Sequence, residues 1–183
     1  EAVAEEEMAI AQFSRMVLIN RDDVEGRFAA YETNPNFSTY GTTGAAEYRF
    51  EQQAFTVDQG YIGNIIAAGT APFPATIKVV GEHSLRPVMG AVAAALLFGL
   101  SPTDVANGLA LIKPVPGRMN LLRGIDNTKV IDDTYNSSPA AASAAIQTLY
   151  SFDDVPQRIL VLGDMRELGE SSKPEHEKLR VGE

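Results

Sequence analysis

The sequence contains no cysteine and only two histidines among its 183 residues. Without cysteine there is no disulfide framework, no thiolate metal site and no cysteine nucleophile, which is compatible with a reducing compartment. Two histidines argue against a histidine-rich metal site. We therefore expect a cytoplasmic protein.

Basic residues are also scarce, because 15 Lys and Arg stand against 24 Asp and Glu and give a formal net charge of -9. Surfaces that bind nucleic acid or anionic membranes need a basic footprint, so we expect no nucleic-acid partner. No apolar run approaches the roughly 20 residues that cross a bilayer. The acidic opening EAVAEEEMAI lacks the basic start of a signal peptide. We expect no transmembrane segment.

The hydrophobic content of 45% can bury a sizeable core, in one large or two small domains. Up to about residue 112 the apolar patterns predict a sheet-rich section followed by two helices. Ser101, Pro102 and Asp104 spell a helix start, and Ser84 is a cap candidate for the helix before it. The predicted strands are 16–20, 37–41, 47–57 and 75–80; the predicted helices are 24–31, capped by Asp22 or Asp23, 85–99, and one from Pro102.

The segment KPVPG, residues 113–117, has the composition of a hinge and predicts a domain boundary. We place the two domains at 1–114 and 115–183. Beyond the hinge the patterns predict a strand at 129–132, a helix at 139–150 and a strand at 158–162, with a further helix beginning near the end. One helix between two buried strands predicts a parallel pair with a right-handed crossover.

Two polar loops follow these two predicted strands: VIDDTYNSSP, residues 130–139, and LGDMRELG, residues 162–169. Parallel strands bring such loops to one edge of a sheet, where open α/β proteins bind ligands. The rim that the two loops would form is acidic, so it would repel phosphate unless Arg118, Arg123, Arg166 or a bound Mg²⁺ intervened, and it would attract an amine. The simpler interpretation is turn formation, with Ser138 capping the helix. The rim residues are Asp132, Asp133, Tyr135, Asn136, Asp164 and Glu167.

The glycine-rich stretch YGTTGAAEY, residues 40–48, superficially resembles a phosphate-binding loop. No GK[ST] follows it, and its flanks favour strands on both sides. We therefore predict a hairpin turn at this position.

Three stretches resemble the Mur ligase family: PGRMNLL at 116–122, VIDDTYNSSPAAASAAIQTL at 130–149, and ILVLGDMRELGESSKPEH at 159–176. VLINRDD at 17–23 and GEHSLRPVMGAVAAALLFGLS at 81–101 are similar to further motifs of the family. The resemblance implies an α/β chain in which the end of a central ATP-binding domain precedes the start of a Rossmann-like C-terminal domain. The family's phosphate loop and metal ligands would precede Glu1, so we expect this chain alone to be inactive.

The resemblance is greatest to the branch that joins D-alanyl-D-alanine to a UDP-N-acetylmuramoyl peptide in peptidoglycan synthesis. It implies ATP and Mg²⁺, an acyl-phosphate intermediate and a monomer at full length. Two other hypotheses stay open. One is another amide ligase of the superfamily, acting on folate, cyanophycin or a modified wall precursor; the other is a module that binds a nucleotide or peptide without catalysis.

The resemblance also implies roles for individual residues, none of them catalytic or metal-binding. Arg118 and Asp133 would contact the nucleotide. His83 matches a family position near it, although a lone histidine at a helix start is more often a packing residue. Ser84 and Pro87 replace family asparagines, which weakens any expected adenine contact there. The expected substrate-binding residues are Tyr135, Asn136, Ser137, Asp164 and Glu167.

Overall fold

A computed structural model describes residues 2–22, 34–152 and 155–179 of the chain. Contacts divide the chain into two compact units, one of Glu1–Lys78 with Leu85–Ile112 and one of Val79–Ser84 with Lys113–Glu183. The predicted helix over 24–31 and its cap candidate Asp23 lie outside the described residues. The division at Ile112 falls two residues before the predicted boundary, and the assignment of 1–114 and 115–183 to family domains stays a prediction.

The first unit contains a mixed five-stranded sheet with the strands in chain order. The bounds are α1 Ala2–Ala9, β1 Val17–Asn20, β2 Phe37–Gly41, β3 Tyr48–Thr56, β4 Gly60–Ala67 and β5 Thr70–Ile77. Helix α1 and a short 3-10 turn precede the sheet. Strands β1, β2 and β3 run parallel, whereas β3, β4 and β5 form an antiparallel meander. The α/β class predicted from the sequence is therefore confirmed.

The core of this unit lies between the sheet and two helices, α2 at Leu85–Leu97 and α3 at Pro102–Ala110. Helix α2 packs on the parallel strands and α3 on β5. One apolar stripe of α2 is buried at Leu85, Val88, Met89 and Val92, whereas Leu96 on the same stripe is half-buried. Full burial of such side chains contributes about 1.5–3 kcal/mol each.

The helix starts follow the sequence signals in one case and depart from them in another. Ser101 and Asp104 form the predicted capping box, with Pro102 in the first turn. The Ser101 hydroxyl and backbone amide both bond to Asp104, which lowers the pKa of that carboxyl. The predicted cap Ser84 instead lies in a 3-10 turn, and its hydroxyl donates to Val80 O at 2.7 Å.

The predicted hairpin at 40–48 is wrong, because β2 and β3 pair in parallel through Tyr40 with Tyr48 and Gly41 with Arg49. The turn between β2 and β3 is stabilised by hydrogen bonds to the side chain of Asp22. Its carboxylate accepts from Thr42 N at 2.7 Å, Thr42 Oγ1 at 2.9 Å and Thr43 N at 3.2 Å. The strand that does form a hairpin with β3 is β4, which our sequence interpretation omitted.

The second unit contains a two-stranded sheet of β6, Asn120–Arg123, and β7, Lys129–Asp132. Helix α4, Pro139–Tyr150, begins as predicted, because the Ser138 hydroxyl accepts from Ala141 N at 3.2 Å. Helix α5 covers Ser172–Lys178. Among the described residues of both units, no helix is long and apolar enough to cross a bilayer.

The predicted parallel pair of strands in this unit is wrong. Strand β7 pairs antiparallel with β6, and residues 158–162 form no strand with any described part of the chain. Three of their four apolar side chains are exposed, with 71% of Ile159, 87% of Val161 and 47% of Leu162 accessible, and Leu160 is half-buried. A strand needs a partner for its backbone groups, and the pattern of side chains alone cannot supply one. Sheet topology therefore does not bring the two polar loops together.

Candidate functional site

The turn after the predicted hinge is fixed by Asp132, the last residue of β7, and by Asp133, which follows it. Gly117 N donates to Asp132 Oδ2 at 3.2 Å, and Met119 N donates to Asp133 Oδ1 at 3.0 Å. Tyr135 N donates back to Gly117 O at 3.0 Å. These three bonds clamp the turn to the loop after β7. The backbone of Gly117 and of Met119 is left-handed, with φ of 74° and 49°.

The clamped turn places Arg118 over the ring of Tyr135, with Cζ 4.2 Å from the ring centroid. A cation over an aromatic face is stabilised by about 0.5–1 kcal/mol at an exposed site. Tyr135 is 69% exposed, so the pair lies at the surface. We call Arg118, Asp132, Asp133 and Tyr135 the Arg118 cluster. Stacking leaves the N–H edge of a guanidinium available for an anion such as phosphate.

The carboxyl of Asp132 has its pKa lowered from the usual 3.8. The main cause is the Thr134 hydroxyl, which donates to Oδ1 at 2.7 Å. Partial desolvation opposes the shift, while the amides of Thr134 and Gly117 add to it. Asp132 is therefore held as the anion that anchors Gly117.

This shift predicts how the turn responds to acid. Because the folded pKa lies below the unfolded one, the stabilisation is present above about pH 4 and is lost as the pH falls through the folded value. We expect hydrogen-exchange protection of the Gly117 amide to decline in that acidic range. Asp132→Asn should flatten the decline, whereas Asp126→Asn on an exposed turn should leave it unchanged. An identical pH profile in Asp132→Asn would contradict the prediction.

The second polar loop carries Asp164 and is attached to α5. Met165 N donates to His176 Nε2 at 3.0 Å, and His176 Nδ1 lies 2.7 Å from Ser172 O. An open pocket of about 570 Å³ adjoins this contact. We call it the His176 pocket; its lining residues are Asp164, Met165, Ser172, Lys173, His176 and Glu177.

The expected site residues fall into separate groups. Arg118, Asp133 and Tyr135 belong to the Arg118 cluster, and Asp164 lines the His176 pocket. No hydrogen bond or ion pair between described residues joins the cluster to the pocket. The remaining expected residues lie outside both: Asn136 and Glu167 are exposed, Ser137 is half-buried, and His83 is half-buried in the 3-10 turn at Glu82–Ser84.

Sequence reasoning missed His176 and Lys173 as possible functional residues. The spacing of Ser172 and His176 was the available signal, since residues four apart on a helix lie on the same face. Within the described ranges, no group of three or more His, Asp or Glu side chains is placed to hold a metal ion.

The comparison with protein families decides what kind of chain carries these sites. Residues 117–181 match the model described as "Mur ligase, glutamate ligase domain". Residues 117–181 therefore form a C-terminal domain segment of the Mur ligase family. Both the Arg118 cluster and the His176 pocket lie inside this segment.

Curated relatives of the chain are named UDP-N-acetylmuramoyl-tripeptide--D-alanyl-D-alanine ligase. The Bacillus subtilis protein is 33% identical over 76% of the chain, and the Haemophilus influenzae protein is 38% identical over 57% of it. The matches cover 30% and 22% of those proteins. The chain thus spans less than a third of the relatives' length.

Solved structures of MurF have a similar fold. The Acinetobacter baumannii enzyme superimposes with a TM-score of 0.82 at 22% identity, covering 97% of this chain and 38% of the enzyme. The Thermotoga maritima enzyme, solved in complex with ADP, gives a TM-score of 0.76 at 25% identity, with 97% and 40% covered. Both superpositions include residues of the first unit as well as residues of the second.

Proposed function

We propose that this chain is part of an ATP-dependent ligase that adds D-alanyl-D-alanine to a UDP-N-acetylmuramoyl peptide in the cytoplasm. A peptide carboxylate would take the γ-phosphoryl group of ATP, giving an acyl phosphate and ADP. The amine of the dipeptide would then attack the acyl carbon, forming the amide and releasing phosphate and a proton. The relatives' names supply the reaction, and the residues of this chain supply the binding contacts.

The observation that carries the proposal is the clamped Arg118 of the Arg118 cluster. Two backbone hydrogen bonds to Asp132 and Asp133 fix the turn, and the ring of Tyr135 fixes the plane of the guanidinium. A cation held in place before its anion arrives stabilises developing charge without reorganising. Arg118 would thus contact a nucleotide phosphate. The carboxylate of Asp133 already accepts from Met119 N, so its part would be to hold that turn beside the nucleotide.

The His176 pocket fits the other substrate. Asp164 and Glu177 offer carboxylates and Lys173 offers an ammonium group on the same lining. A zwitterionic dipeptide has the complementary charges, an ammonium at one end and a carboxylate at the other. Asp164 would accept from the incoming amine. Tyr135, Asn136, Ser137 and Glu167 remain proposed contacts of the muramoyl peptide or the dipeptide.

The donor sets of the described residues do not fit a magnesium site. Mg²⁺ prefers octahedral oxygen coordination with one or two carboxylates plus phosphates. Asp132 and Asp133 are both engaged with backbone amides. When bound, Mg²⁺ would neutralise phosphate charge, and its protein ligands are expected outside this chain.

A monomeric state at full length is also part of the proposal.

The test is phosphate release by the full-length protein that contains this chain. We expect release from ATP only when a UDP-N-acetylmuramoyl tripeptide and D-alanyl-D-alanine are both present. D-Glutamate or L-glutamate in place of the dipeptide serves as the matched control for the amine. Equal release with glutamate would contradict the assignment in favour of another ligase of the superfamily. ATP binding without release under any combination would favour a non-catalytic module.

A further inference from the structure

One side chain, His176, connects the Asp164 loop to helix α5 through both ring nitrogens. A backbone N–H can bond only to a ring nitrogen that carries no proton. The bond from Met165 N therefore places the proton on Nδ1, where it donates to the Ser172 carbonyl. The imidazole is thus fixed in one neutral tautomer, with one edge on the loop and the other on the first turn of the helix.

The loop end of this connection is shielded from water. Met165 is only 4% exposed, so its amide has little access to solvent and depends on a protein acceptor. The neighbouring Asp164 is exposed and lines the pocket. Because Asp164 and Met165 share a peptide group, the bond that orients the Met165 amide also orients the backbone from which the Asp164 side chain projects.

We infer that His176 is a positioning residue for the amine substrate: it holds the Asp164–Met165 peptide so that the Asp164 carboxylate faces the pocket. The inference rests on the proposed function, since it needs an amine to be bound there. His176 itself does not react. Its neutral ring acts through the Met165 amide, and losing the acceptor would let the peptide rotate and carry the carboxylate out of place.

The kinetic test compares three variants of the full-length protein. His176→Leu removes the acceptor, His176→Gln keeps an acceptor oxygen at similar reach, and Lys178→Leu makes the same kind of change at an exposed position of α5. Misplacing a binding group by about 1 Å can cost up to 10²-fold, so His176→Leu should raise KM for D-alanyl-D-alanine by about 10-fold or more. KM for ATP should stay within about 2-fold in all three variants. His176→Gln should recover most of the loss, and Lys178→Leu should behave as wild type.

A spectroscopic measurement on the same protein tests the connection independently. Uniform ¹⁵N labelling should show His176 protonated at Nδ1 and bare at Nε2, and the Met165 amide resonance should be shifted in His176→Leu. A proton on Nε2 overturns the inference, and so does an unchanged dipeptide KM in His176→Leu. If that variant fails to fold, His176→Gln and the tautomer decide. Absence of ligation by the wild type overturns the proposed function, whereas ligation with an unaffected His176→Leu overturns this inference alone.

Discussion

Alanine in place of Arg118 is expected to lower kcat/KM for ATP in the full-length protein by roughly 10²-fold, as for loss of one preorganised donor at a developing charge. The guanidinium is the only group of the Arg118 cluster with positive charge, and the ring of Tyr135 holds it at 4.2 Å. Removing it deletes the charge and the geometry together. Steady-state kinetics at saturating dipeptide and muramoyl peptide would measure the effect.

Two further variants separate charge from geometry. Arg118→Lys keeps the charge but loses the planar fork and the flat stacking surface, so we expect it to recover only part of the activity. Arg123→Ala removes an arginine from β6, where the side chain bonds Asn127 at 2.9 Å. That control should leave kcat/KM for ATP unchanged. A full recovery by lysine would show that charge alone matters, and an unaffected Arg118→Ala would remove Arg118 from the nucleotide site.

Local signals in the sequence predicted local structure well. Helix α3 begins at its capping box and α4 at its Ser138 cap because these signals involve only neighbouring residues. The prediction of a parallel strand pair in the second unit was wrong because strand pairing involves residues that are distant in the sequence. The run RILVL has strand composition, yet pairing depends on a distant partner, and in the described residues β7 is paired with β6. Because the run has no strand partner, part of its apolar surface stays exposed to solvent, as at Val161.

The candidate site was predictable only in part, because local signals appear in the sequence whereas contacts between distant residues do not. Asp132 and Asp133 were identified from their place at the end of a predicted strand. Their partners, the Gly117 and Met119 amides, lie 14–15 residues earlier in the chain. Such backbone contacts leave no side-chain pattern in the sequence. His176 was missed because its role is to accept from another backbone amide, that of Met165. The sequence allowed us to predict which side chains are chemically suited to a site. It did not allow us to predict their hydrogen bonds to backbone groups that are distant in the chain.

Gly117 is the position where a single methyl group should disturb the Arg118 cluster most. Its φ of 74° is left-handed, and a Cβ there would lie 3.2 Å from both Cβ and N of Tyr135. Strain of this kind costs about 1–3 kcal/mol. We expect Gly117→Ala to destabilise the second unit by that amount and to push Tyr135 away, which breaks the bond from Tyr135 N to Gly117 O. Hydrogen exchange of the Tyr135 amide would report the break directly.

Gly169 provides the matched control for this substitution. It lies in the same unit with a φ of 54°, but a Cβ added there meets nothing within 4 Å. Gly169→Ala therefore carries the backbone strain without the clash, and it should leave exchange at Tyr135 unchanged. If both variants lose the same free energy of unfolding and Tyr135 stays protected in Gly117→Ala, the turn yields without moving the ring. The guanidinium of Arg118 would then not depend on the close approach of Gly117 and Tyr135. The preorganisation of the nucleotide site would have to come from the bonds to Asp132 and Asp133 and from the unmoved ring of Tyr135.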